Sequence, residues 1–97
     1  MINIMRLCNQ VIDEIHKNFY GIDVYVFGIS SEDTNIMKIK FIYEVPKLSI
    51  INDCYISFRK ATEIDNTLFN IIYKELVEHI FYDITGKFIN KEENNDM

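Results

Sequence analysis

Along residues 3–20, Ile4, Cys8, Val11, Ile12, Ile15 and Phe19 recur at the i, i+3, i+4 spacing of a helix and share one stripe. Arg6, Gln10, Asp13 and Lys17 gather on the opposite side. Asn3 is placed to cap the N-terminus, and Gly21 stands where a left-handed residue would end the helix. Three β-rich runs follow, at 22–30, 36–45 and 50–60. The second alternates most plainly, with Met37, Ile39, Phe41, Tyr43 and Val45 on one face and Lys38, Lys40 and Glu44 on the other. In the third, Cys54, Ile56 and Phe58 oppose Asp53, Tyr55, Ser57 and Arg59. A period of two of this kind predicts a sheet with one buried face. The first run is apolar on both sides, Ile22, Val24 and Val26 against Tyr25, Phe27 and Ile29, so its pattern leaves its orientation open.

The connections Ser31–Thr34 and Pro46–Ser49 are short and polar, which suits antiparallel hairpins. Residues 62–85 then predict a second helix, with Ile64, Leu68, Phe69, Ile72, Tyr73, Leu76, Val77, Ile80 and Ile84 filling a wide apolar arc. Thr62 and Asp65 have capping-box spacing, and Thr85-Gly86 is expected to stop the helix. The expected architecture is α+β, a two-layer α-β-β-β-α arrangement with a three-stranded antiparallel sheet and both helices on one face. Residues 1–86 form its single domain, and residues 87–97 are expected to be a polar, frayed tail.

Composition narrows the class. Ninety-seven residues suit one domain, and 48% hydrophobic with 26% charged residues excludes a collagen-like, low-complexity or wholly disordered chain. No run of eighteen apolar residues is present, and Arg6, Asp13, Glu14 and Lys17 interrupt any leader-like stretch, so a cytoplasmic protein away from membranes is expected. Charge is distributed unevenly. Residues 1–61 balance, whereas 62–97 set Lys74, Lys87 and Lys91 against Glu63, Asp65, Glu75, Glu78, Asp83, Glu92, Glu93 and Asp96, which accounts for the net charge of −5. A phosphate binder needs the opposite sign, so nucleic acid is not the expected partner. An acidic surface attracts a basic protein and speeds its approach.

Candidate chemistry is sparse. There is no phosphate-cradling loop, nucleophile elbow or His-Glu-x-x-His motif, and the three glycines stand apart at 21, 28 and 86. Cys8, Cys54, His16 and His79 lack zinc-finger spacing, and Cys54 falls among the core-facing positions, where a thiol is inert. No catalytic residue, metal or cofactor is therefore expected, and the two cysteines are expected as buried thiols.

Two surfaces carry more information. On the second helix, Ile71, Glu75, Glu78 and Tyr82 lie on one line at i, i+4, i+7 and i+11, with His79 beside it, and Asp83 supplies a further carboxylate. Together they would meet a basic groove. If the first strand buries Val24 and Val26, then Tyr25, Phe27 and Ile29 join Lys38, Lys40, Ile42, Tyr55 and Arg59 on the open sheet face. Aromatic and basic residues interleaved in this way suit a protein interface or a base-stacking platform.

The order α-β-β-β-α resembles the double-stranded RNA-binding domain in topology. That family docks phosphate with lysines opening its last helix, where this chain has Thr62-Glu63-Ile64-Asp65. Small size, acidic surplus, helix–sheet–helix order and an AT-rich slant (eighteen Ile and ten Asn against one Ala) also look like small phage-encoded inhibitors of host defence, including anti-CRISPR proteins. That resemblance implies nucleic-acid-like charge presented to the basic channel of a nuclease; toxin immunity proteins match the same description. The leading expectation is a non-catalytic inhibitor of a basic, nucleic-acid-handling protein that binds through Ile71, Glu75, Glu78, Tyr82 and Asp83. The alternatives are a homodimeric structural protein closed on the open sheet face, an immunity protein, and a single-stranded nucleic-acid binder on Tyr25, Phe27, Tyr55 and Arg59.

Overall fold

A computed structural model describes residues 4–31, 33, 35–59 and 66–95. The chain runs α1 (Ile4–Asn18), β1 (Asp23–Ser31), β2 (Ile36–Val45), a 3₁₀ turn (Pro46–Leu48), β3 (Ile50–Arg59) and α2 (Asn66–Asn95). The strands form one antiparallel sheet in the order β1-β2-β3. This is the α+β arrangement that the alternating strands and amphipathic helices predict. Thr62 and Asp65, the expected capping pair, lie outside the described residues, as does Asn3.

Period two decides which face is covered. Ile39, Phe41, Tyr43 and Val45 of β2, with Cys54 and Ile56 of β3, are buried under the helices. From α1, Leu7, Cys8, Val11 and Ile15 enter this core, Leu7 widening the expected stripe. From α2 it receives Leu68, Ile72, Leu76 and Ile80, a clean i, i+4 ridge. The first helix packs over β1 and the second over β3, and the two lie side by side. Phe19 meets Phe81 edge-to-face at 5.2 Å, and Asn18 Nδ2 donates to the Tyr73 hydroxyl at 3.0 Å. His16 adds a tie to the sheet, its Nε2 accepting from the Val24 N–H at 3.4 Å.

The ambiguous first strand buries Val24 and turns Tyr25 and Phe27 outward. Its regular pairing with β2 slips between Val26 and Gly28, so that Phe27 and Gly28 together stand opposite Lys40. This bulge reverses the alternation. Ile29 consequently pairs with Ile39 and packs on the core, and it does not join Tyr25 and Phe27 on the open face. A uniform period of two cannot anticipate one inserted residue.

The second helix also departs from expectation. Thr85-Gly86 does not end it: the backbone stays helical through Gly86 to Asn95, into the segment expected to fray. One glycine in a helix interior costs about 1 kcal/mol relative to alanine and does not by itself break the helix. The chain does use glycine freedom at Gly21, whose φ of 78° turns it from α1 into β1.

Candidate interaction surfaces

On the open side of the sheet, cross-strand pairing sets Tyr25, Ile42 and Asp53 in one row and Gly28, Lys40 and Tyr55 in the next. The bulge brings Phe27 into that second row. Tyr25 and Tyr55 are each 51% exposed and Phe27 66%, so three aromatic side chains share one solvent-facing surface. Lysine stems lie across them. Lys40 Nζ sits 4.5 Å from the Phe27 ring centre and 5.4 Å from that of Tyr55, and Lys38 Nζ sits 4.8 Å from Tyr55. These are cation–π distances. Lys40 also reaches Asp53 Oδ2 at 3.6 Å. The Tyr55 hydroxyl first, and Asp53 after it, hold the Lys40 ammonium above its ordinary range against an opposing desolvation cost. A shallow depression of about 220 Å³ lies among Phe27, Gly28, Lys38, Lys40 and Tyr55. Arg59, at the far end of β3 opposite Ile36, is exposed and stands apart from it.

The second surface is the flank of α2 that faces away from α1. Tyr73 and Phe81 identify the side toward α1 through their contacts with Asn18 and Phe19. At 100° per residue, Ile71, Glu75, Glu78 and Tyr82 fall on the opposite flank. All four are exposed, Ile71 at 39% and Tyr82 at 78%. Because α1 packs over β1 and α2 over β3, this flank lies on the side of the outer edge of β3. Glu75 lies near enough to Cys54 of β3 for its charge to help raise that thiol, although burial is the larger cause. Glu78 approaches Lys74 at 4.0 Å, an exposed contact of little energetic consequence.

Asp83 does not belong to this outward group. Its carboxylate turns under the helix, accepting hydrogen bonds from the Tyr43 hydroxyl and from Asn52 Nδ2, the latter at 2.7 Å. Burial pushes its pKa up from the ordinary carboxylate value. Tyr43 and Asn52 are cross-strand partners, so Asp83 fastens α2 to both strands at once. His79, one turn earlier, stacks edge-on against the Tyr43 ring at 5.9 Å. Asp83, expected as an outward carboxylate, instead shares the sheet-facing line of Ile72, Leu76 and Ile80 at i+11, i+7 and i+3; that helical spacing is the available signal to the contrary, and the buried Tyr43 hydroxyl supplies the donor it meets.

Neither cysteine is presented for chemistry. Cys8 and Cys54 are buried, and burial pushes both thiols up to about 11. Among the described residues, no three His, Cys, Asp or Glu side chains come together to hold a metal ion, and no helix is long and apolar enough to cross a membrane. Comparison with protein-family models, curated proteins and solved structures returns no match.

Proposed function

We propose that this chain is a non-catalytic binding protein that engages, and thereby inhibits, a basic protein handling nucleic acid. The observation that carries this reading is the α2 flank, where Ile71 and Tyr82 bracket the solvent-facing acids Glu75 and Glu78. Carboxylates can stand in for phosphates toward a basic channel, and the two apolar groups supply contact that gains from losing water. The net charge of −5 favours encounter with such a partner.

The test is a titration against purified DNA-cleaving nucleases of the host-defence type. Cleavage should fall with added protein, recover as salt rises, and recover in the Glu75→Lys, Glu78→Lys double variant. Binding that ignores both salt and charge reversal would remove the reading.

A second reading has its own observation, the exposed aromatics Tyr25, Phe27 and Tyr55, which would suit a homodimer closed face to face. Two facts make it the weaker. The lysines and Asp53 already partner one another or the rings across this face. Strands of nine, ten and ten residues also cover only about 33 by 14 Å, or about 450 Å² of flat area a side, against about 800 Å² of accessible surface per partner in a stable interface. Sedimentation separates the two readings, since only a sheet-face dimer would be dissociated by Tyr55→Asp.

A further inference from the structure

We infer that the outer edge of β3, roofed by the α2 flank, is a strand-addition site for an extended basic segment of the partner. The inference rests on the basic-partner reading above and supplies its geometry. The two edges of the sheet differ. At one edge, the bulge of β1 at Val26–Gly28 breaks the regular ladder, a common device for blunting an exposed strand. At the other, β3 pairs with β2 without interruption from Ile50 to Arg59 and contains neither a bulge nor a proline. Among the described residues, β3 is paired on this one side only. Its other side offers backbone donors and acceptors to an added strand, which would take over the Asp53 N–H from its present contact with Asn52 Oδ1 at 2.8 Å.

The roof supplies the selectivity. Ile71 to Tyr82 spans eleven helical steps, about 16 Å along the axis, which matches about five residues of an added strand. Three alternate side chains of that strand would therefore pass beneath Ile71, the Glu75–Glu78 pair and Tyr82. Lysine or arginine at the middle position would meet the two carboxylates, with its stem against the Ile71 or Tyr82 side chain. The opposite side chains of the strand would extend the open face beside the exposed Ile51 and Tyr55. An acidic or proline-bearing segment would be rejected, the first by charge and the second for want of a backbone N–H.

The test uses a synthetic peptide of the length of β3, alternating Lys with Val, and the whole chain. Calorimetry should show saturable binding that weakens with salt, and hydrogen exchange should show added protection of β3 amides. Two further peptides carry N-methyl groups on alternate residues, one set blocking each edge of the strand. At least one of them should bind tenfold or more weakly. The Glu75→Lys, Glu78→Lys variant, whose fold is checked by circular dichroism, should lose tenfold or more for the unmethylated peptide. If charge reversal weakens binding but neither methylated set does, strand addition is overturned and the basic-partner reading stands. If charge reversal has no effect, the basic-partner reading fails, and with it this inference. No binding at millimolar peptide overturns the inference as well.

Discussion

The buried Tyr43 hydroxyl donates a hydrogen bond to Asp83, joining the central strand to the second helix forty residues later in the chain. This link, with Asn52 as the second donor, fixes how α2 sits on the sheet and therefore which flank it shows to solvent. Tyr43→Phe keeps the ring and removes the donor. A hydrogen bond to a charged group contributes about 1.5–3 kcal/mol. Because Asp83 is half-buried and keeps Asn52, a loss near the lower figure is expected in urea unfolding. An unchanged urea midpoint would mean that the hydroxyl contributes nothing to stability.

Asp83 also makes stability depend on pH. Burial raises its pKa above the ordinary 3.8, so the folded state takes up the proton more readily than the unfolded chain. The contribution is then fully present below about pH 3.8 and is lost as pH rises through the raised value. Urea midpoints of the wild type and Asp83→Asn, measured from pH 3 to 7, should diverge with the wild type losing ground as pH rises. A flat difference, or one of opposite slope, would contradict this sign.

Both thiols should be silent in the native protein. At about 11, each is almost wholly protonated at pH 8, and burial excludes reagent from both. A disulfide-exchange reagent should release no colour at pH 8 until denaturant is added, and then two equivalents. Rapid native reaction of one equivalent would place Cys8 or Cys54 at the surface.

Two glycines should respond oppositely to alanine. At Gly86 a Cβ meets nothing within 4 Å and the backbone is helical, so Gly86→Ala should add up to about 1 kcal/mol. Gly21 is as open, but its φ of 78° is left-handed, so Gly21→Ala should cost about 1 kcal/mol. Thermal unfolding of the pair measures both. If both variants were stabilised, the left-handed turn at Gly21 would be refuted.

Much of the candidate surface could be read from the chain because its side chains sit on regular elements. Ile71, Glu75, Glu78 and Tyr82 share a flank through helical spacing alone, and Lys38, Lys40 and Tyr55 share a face through strand alternation. Phe27 and Ile29 could not be sorted this way, since one inserted residue at the bulge sends them to opposite faces. Gly86 misled for a related reason: it is a frequent helix terminator, but only the surrounding context decides whether it terminates one.

Amino-acid order by itself determined the element sequence, the inward set of β2 and β3, and the acidic bias of the final third, because each depends on neighbours within a few positions. Only the tertiary structure decided that Tyr43 and Asn52 are the partners of Asp83, and that the acidic flank of α2 lies on the side of an unbulged strand edge. Those outcomes depend on which distant groups meet, and a buried hydroxyl is satisfied by whichever acceptor the packing of helix on sheet brings within reach.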